Sequence, residues 1–202
     1  MKKIYLTLIL VCTNLQAQIN IYSHRHYDSD KILFKKFTDQ TGIKINVIKG
    51  SADQLIERLI SEGGNSPADI LLTVDAGRLH RAKVAGILQP IESKILSENI
   101  PPSMRDEDDY WFGLTVRARV LVYSKERVTP DQLSTYEDLA NRKWRGKIAV
   151  RSSSNIYNQS LMASIIASNG SRKALSWAKS IRKNMARAPR GSDRDQARAV
   201  AA

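Results

Sequence analysis

Asp69-Ile70-Leu71-Leu72-Thr73-Val74 (residues 69–74) is an almost continuous apolar run bounded by polar and turn-forming residues. Such a run suits a strand covered on both faces, the usual situation in a parallel sheet. Working outward, Ile19-Asn20-Ile21-Tyr22 and Lys44-Ile45-Asn46-Val47-Ile48 also have strand character. Between them, Asp28 or Ser29 can cap a helix that carries Leu33 and Phe37 and stops at Gly42. Ser51 with Gln54 forms a capping box for a helix with Leu55, Ile56, Leu59 and Ile60 on its buried stripe, ended by Gly63-Gly64. A short helix through Leu79, Ala82 and Ala85 closes at Gly86. The βαβαβα order predicts an α/β lobe with largely parallel strands. Residues 90–110, with Pro101-Pro102, read as a surface excursion.

Further along, Val116 to Ser124 alternates as a strand, with Val116, Ala118, Val120 and Val122 on one face and Arg117 and Arg119 on the other. It is expected to cross into a second lobe. Ser134 with Glu137 predicts another capped helix, and Ile148-Ala149-Val150 another strand. Helices are then expected up to the Asn169-Gly170 stop, through Leu175, Ala178 and Ile181, and from a Ser192–Asp195 capping box onward. The expected organisation is a leader over residues 1–17, a first α/β lobe over 18–115, and a crossover strand with a partial second lobe over 116–202.

The leader reading rests on Lys2-Lys3, the apolar Ile4–Cys12 stretch and the small Ala17 after Leu15-Gln16. Its removal takes away Cys12, the only cysteine, so neither disulfide nor thiol chemistry is expected of the exported product. The net charge is +12. Much of the excess lies between Ser171 and Arg198, where nine Lys or Arg face only Asp193 and Asp195. A solvated helix face explains this, and nucleic acid is not expected as a partner, because only Trp177 interleaves with the charges. The closing Gln196–Ala202 stretch has helical character without a stop signal, which suggests a chain truncated within a helix.

Two tyrosine segments sit at strand-to-helix junctions, where open α/β sheets bind ligands. One is Ser23-His24-Arg25-His26-Tyr27-Asp28, the other Ser152-Ser153-Ser154-Asn155-Ile156-Tyr157. A free phenol stays protonated at neutral pH, but a bound cation can deprotonate its own ligand. Ferric iron is hard and trivalent and suits anionic oxygen, whereas softer or divalent metals recruit thiolate, imidazole or carboxylate. Tyrosines near strand ends also commonly cap a core with the hydroxyl in water, and the residue types alone leave both readings open. His24-x-His26 is a weak zinc signal with no partner cluster. No nucleophile–base pair, phosphate loop or paired-carboxylate motif is present, so an enzyme is not expected.

INIYSHRHYDSD (19–30), SPADILLTVDAGRL (66–79), WFGLTVRARVLVYSK (111–125) and KWRGKIAVRSSSNIYNQS (143–160) together resemble the ferric-iron-binding periplasmic proteins of bacterial ABC-type iron importers. The likeness is greatest to the branch found in cyanobacteria and related bacteria, and it runs from Ile19 to Ala202. It implies a type II periplasmic-binding-protein fold, with two lobes around a cleft that closes by a hinge. It also implies Fe³⁺ as the transported ligand, an inner-membrane ABC permease as partner, a periplasmic location and a monomer. Tyr27 matches the first-lobe ligand tyrosine and Tyr157 a second-lobe ligand. His26 holds the position that coordinates iron in some members, and Arg117 matches an arginine near the metal. Family members carry an adjacent tyrosine pair further on, both ligands, and this chain ends before it, so the second lobe is expected to be incomplete. Two rivals remain. One is an oxyanion or small organic anion binder using Ser152 to Asn155 at the helix start, Ser154 and Asn155 above all, with Arg117 and Arg151. The other is an inactive fragment with a basic surface.

Overall fold

The structure, a computed structural model, describes residues 17–25 and 27–202. The expected leader up to residue 16 and His26 lie outside the described residues. Two compact units divide the chain: one runs through Val74 and takes in Val84–Ile87, and the other comprises Asp75–Lys83 and Leu88–Ala202.

In the first unit, β1 (Gln18–Ser23), α1 (Asp28–Thr41), β2 (Lys44–Lys49), α2 (Ala52–Glu62) and β3 (Ile70–Leu72) follow in order. The sheet has the order β2-β1-β3, and both pairings are parallel. The register places Tyr22 beside Ile48 and Leu71. These three share one face, against which α2 packs Leu55 and Leu59, joined by Ala68 and Ile87. Side chains alternate along a strand, so Ile21, Val47 and Ile70 share the opposite face, where Ile21 is buried but Val47 and Ile70 are partly exposed. The double cover expected of residues 69–74 is therefore realised on the Leu71 side only. The strand is also shorter than residues 69–74: Asp69 turns its carboxylate onto the Asn20 N–H (2.8 Å), and Thr73 and Val74 lie past its end.

Helix ends follow the local chemistry. Gly42 closes α1 at φ 71°, in the left-handed region, and its N–H reaches Thr38 O. Ser51 and Gln54 form the complete capping box of α2. The α1 stripe is rotated from the expected one: Leu33 is exposed, whereas Phe34 and Phe37 are half-buried.

Tyr22 is 0 % exposed, and its hydroxyl donates to both Glu62 oxygens, at 2.9 and 3.0 Å. Arg58 Nε and Ser66 Oγ also donate to Glu62, at 2.6 and 2.7 Å. The Arg58 guanidinium lies 4.7 Å from the Tyr22 ring centre. Burial, followed by the bond to Glu62, pushes the Tyr22 phenol above its usual value.

The second unit is mainly helical: α3 (Ala76–Val84), α4 (Lys94–Asn99), α5 (Ile156–Asn169), α6 (Ser171–Asn184) and α7 (Asp193–Ala201). Trp144, Ile156, Ile165, Ala174 and Ile181 are buried, while Leu175, expected to pack, is exposed. Asn184, also buried, donates to Leu139 O and Asn141 O. The Ser192–Asp195 box caps α7.

Three expected elements are reduced here. The strand expected at Val116–Ser124 is not formed among the described residues; Val116 and Val120 are 75 % and 66 % exposed. A strand exists only where a second backbone completes its hydrogen bonds. Ile148–Val150 makes one parallel bridge, Ile148 to Met185. The Ser134 helix shrinks to a 3-10 turn over Glu137–Ala140, with Thr135 Oγ1 accepting from Asp138 N. Residues 90–110 are more ordered than expected. They contain α4, and Asp106 there accepts Lys83 Nζ at 2.7 Å. Burial opposes charge on Asp106, but Lys83 and the N–H groups of Tyr110 and Asp108 outweigh it and hold the carboxyl below its usual range.

Two stability predictions follow from the first-unit core. Tyr22→Phe keeps the ring and removes the bonds to a carboxylate, lowering stability by about 2 kcal/mol, read as a lower urea midpoint at unchanged slope. The Ser66 hydroxyl, then Arg58 and the Tyr22 hydroxyl, hold Glu62 below its ordinary value of 4.5. Glu62 therefore contributes stability that is fully present above 4.5 and is lost as pH falls through its lower folded value. Replacing it by Gln should flatten the acid limb of a midpoint-against-pH plot; an unchanged limb assigns the acid sensitivity elsewhere.

Candidate functional site

The start of α5 is built by amide side chains. Asn155, in the extended conformation, accepts from Tyr157 N at 3.0 Å and so caps the helix. Asn158 Nδ2 donates back to Arg151 O (2.8 Å) and Ser152 O (3.2 Å), and Gln159 Nε2 to Ser153 O and Ser154 O. The hydroxyls of Ser152 and Ser154 lie 2.9 Å apart. Residues 151–154 are thus folded over the first turn, which fixes where Tyr157 leaves the helix.

Tyr157 is half-buried and surrounded by guanidinium groups. Arg117 Nη1 donates to its hydroxyl oxygen at 3.0 Å. The Arg119 and Arg151 guanidinium carbons lie 5.3 and 5.5 Å from its ring centre, within cation–π range. Arg151 is held in turn by Asp193 at 2.9 Å. Arg117 and Arg119, expected to point the same way, both attend to this one tyrosine although their segment forms no strand.

In the first unit, Tyr27 occupies the cap position of α1 in the extended conformation and is 41 % exposed. Arg25 reaches over its ring, 5.0 Å from the centre, and forks onto Asp30 at 3.0 and 2.8 Å. Asp28 and Asp30 lie in the first turn of α1, where the helix dipole favours negative charge. His24 Nδ1 lies 3.3 Å from Gly50 O.

The structure brings Arg117, Asn155 and Tyr157 together and places Ser154 in the loop over the same turn. Tyr27 belongs to the other unit, and His26 is outside the described residues. Among the described residues, no group of three or more His, Cys, Asp or Glu is placed to hold a metal ion. Sequence reasoning gave Arg151 only an anion role and missed its stacking on Tyr157. It also missed the short contact between Asp75 and Ser160, 2.7 Å, whose one visible signal is an aspartate two residues before a glycine at a helix start.

A match to the family described as bacterial extracellular solute-binding protein covers residues 65–201. Iron uptake protein A1 of Synechocystis sp. (strain ATCC 27184 / PCC 6803 / Kazusa) is 55 % identical over 185 residues, taking in 92 % of this chain and 51 % of that protein. The Fe(3+)-binding periplasmic protein of Serratia marcescens is 29 % identical over 82 % of this chain and 49 % of its own length. Among solved structures, the Trichodesmium protein IdiA (FutA) in complex with iron and citrate ligands superposes with a TM-score of 0.86. It is 57 % identical, over 89 % of this chain and 57 % of that one. The chain spans about half the length of the curated relatives it matches. It has a mixed helix and sheet fold of the periplasmic-binding-protein kind and belongs to the bacterial extracellular solute-binding protein family.

Proposed function

We propose that this chain serves in periplasmic capture of ferric iron, with Tyr27 and Tyr157 as phenolate donors, His26 beside Tyr27, and delivery to an inner-membrane ABC permease. Residues 1–17 act as the export leader, 18–115 as the first lobe and 116–202 as the crossover and part of the second. The protein is a monomeric carrier, not an enzyme, and has no nucleic-acid partner. Relatives named for iron uptake and Fe(3+) binding support the ligand.

The observation that carries the reading is the setting of the Tyr157 hydroxyl. A phenol oxygen has one donor and two acceptor positions. Arg117 uses one acceptor position, which leaves the oxygen free to exchange its proton for a metal while keeping the guanidinium bond. Arg117, Arg119 and Arg151 supply positive charge around an oxygen that becomes anionic. Ferric iron then receives the hard, negatively charged donor it favours. Arg117 also aims the ligand, as an outer hydrogen-bond partner does at many metal sites.

The same guanidinium groups favour a second reading, in which the site takes an oxyanion or small organic anion against Ser154 and Asn155. Ferric citrate and citrate alone separate the two. With ferric citrate, a broad visible phenolate-to-iron charge-transfer band is expected, weakened in both Tyr27→Phe and Tyr157→Phe. Arg117→Ala should reduce iron affinity about tenfold. No band in the unaltered chain, together with calorimetric heat from citrate alone, would establish the anion reading instead.

A further inference from the structure

Asp75 is not among the residues the iron reading uses, yet it is held against the helix that carries Tyr157. Its backbone stands at φ 76°, a left-handed conformation costly for residues with a Cβ and best tolerated by Asp and Asn. Its Oδ1 accepts two hydrogen bonds: from Gly77 N at 2.9 Å, at the start of α3, and from Ser160 Oγ at 2.7 Å, on α5. Ser160 lies three residues after Tyr157, the spacing that brings side chains onto neighbouring positions of one helix face.

A second contact falls on the other flank of the tyrosine. Ile156 is buried, and a Cβ added at Gly77 would lie 3.1 Å from Ile156 Cδ1 and 3.1 Å from Asp75 Oδ1. The first turn of α3 therefore approaches α5 closely enough that a Cβ at Gly77 would press on Ile156 and on the Asp75 carboxylate. Gly77 thus meets the residue before Tyr157, and Asp75, just ahead of α3, meets the residue three positions after it. An aspartate needed only to start α3 would be satisfied by Gly77 N alone; the bond to Ser160 couples that start to α5.

We infer that Asp75 and Ser160 are positioning residues, which fix the first turn of α5 and so aim the Tyr157 phenol at its ligand and at Arg117. The metal side of this inference rests on the iron reading; the aim of the ring does not. Two loss variants and two rescue variants test it in the full chain. Asp75→Gly tolerates the backbone angle but has no acceptor, and Ser160→Ala removes the donor. Asp75→Asn and Ser160→Thr keep the acceptor and the donor.

The first readout is the ring NMR signal of Tyr157 in metal-free protein, assigned by its loss in Tyr157→Phe. It should shift in both loss variants and stay near the parent position in both rescue variants. The second is iron affinity from the charge-transfer band, expected to fall about tenfold in the loss variants and to be retained in the rescue variants. If Asp75→Gly does not fold, Ser160→Ala with Ser160→Thr carries the comparison. A Tyr157 signal unmoved in a folded loss variant overturns the inference. A signal shifted in the loss variants, with no ferric band from the parent chain, upholds the positioning role and removes the iron reading.

Discussion

A phenol sealed inside an apolar layer must bring its hydroxyl to an acceptor, and this constraint organises the first unit. Tyr22 is the penultimate residue of the central strand and has no exposed surface. Its ring fills the layer between sheet and helix, and its hydroxyl ends on Glu62 at the last turn of α2. The pairing fixes how α2 lies on β1, which in turn fixes the strand end where Ser23, His24 and Arg25 lead into α1. Ser66, just after α2, shares the same carboxylate, so the approach to β3 is held at the same point.

Environment separates the tyrosines of this chain more than identity does. Tyr22 is raised by burial and committed as a donor to a carboxylate, which suits packing and excludes a role as an anionic ligand. Tyr157 receives a hydrogen bond from a guanidinium and has two more stacked on its ring. Tyr27 has one guanidinium over its ring and substantial exposure. The chemistry open to a phenol oxygen is thus set by whether its neighbours offer it protons or demand one.

The parts legible in the sequence are those governed by neighbours within about four residues. The Ser51–Gln54 and Ser192–Asp195 boxes and the left-handed Gly42 closure occur where local rules place them. Strands fared according to whether a partner backbone lies alongside among the described residues. Lys44–Lys49 pairs with β1, whereas the equally regular Val116–Ser124 pattern finds no ladder among the described residues. The Arg117–Tyr157 bond, across forty residues, and the Asp75–Ser160 bond, across eighty-five, follow from tertiary approach. No periodicity encodes them.

The open stretch around Val116, Val120 and Val122 bears on how this chain behaves in concentrated solution. Valine-rich backbone that forms no ladder among the described residues is a template for intermolecular pairing, so self-adhesion would begin there sooner than at the helical surfaces. Arg117 and Arg119 interrupt that stretch with like charges that repel a second copy laid alongside. Both guanidinium groups are also turned toward Tyr157. A neutral replacement at either position would therefore trade colloidal protection as well as an interaction with the phenol.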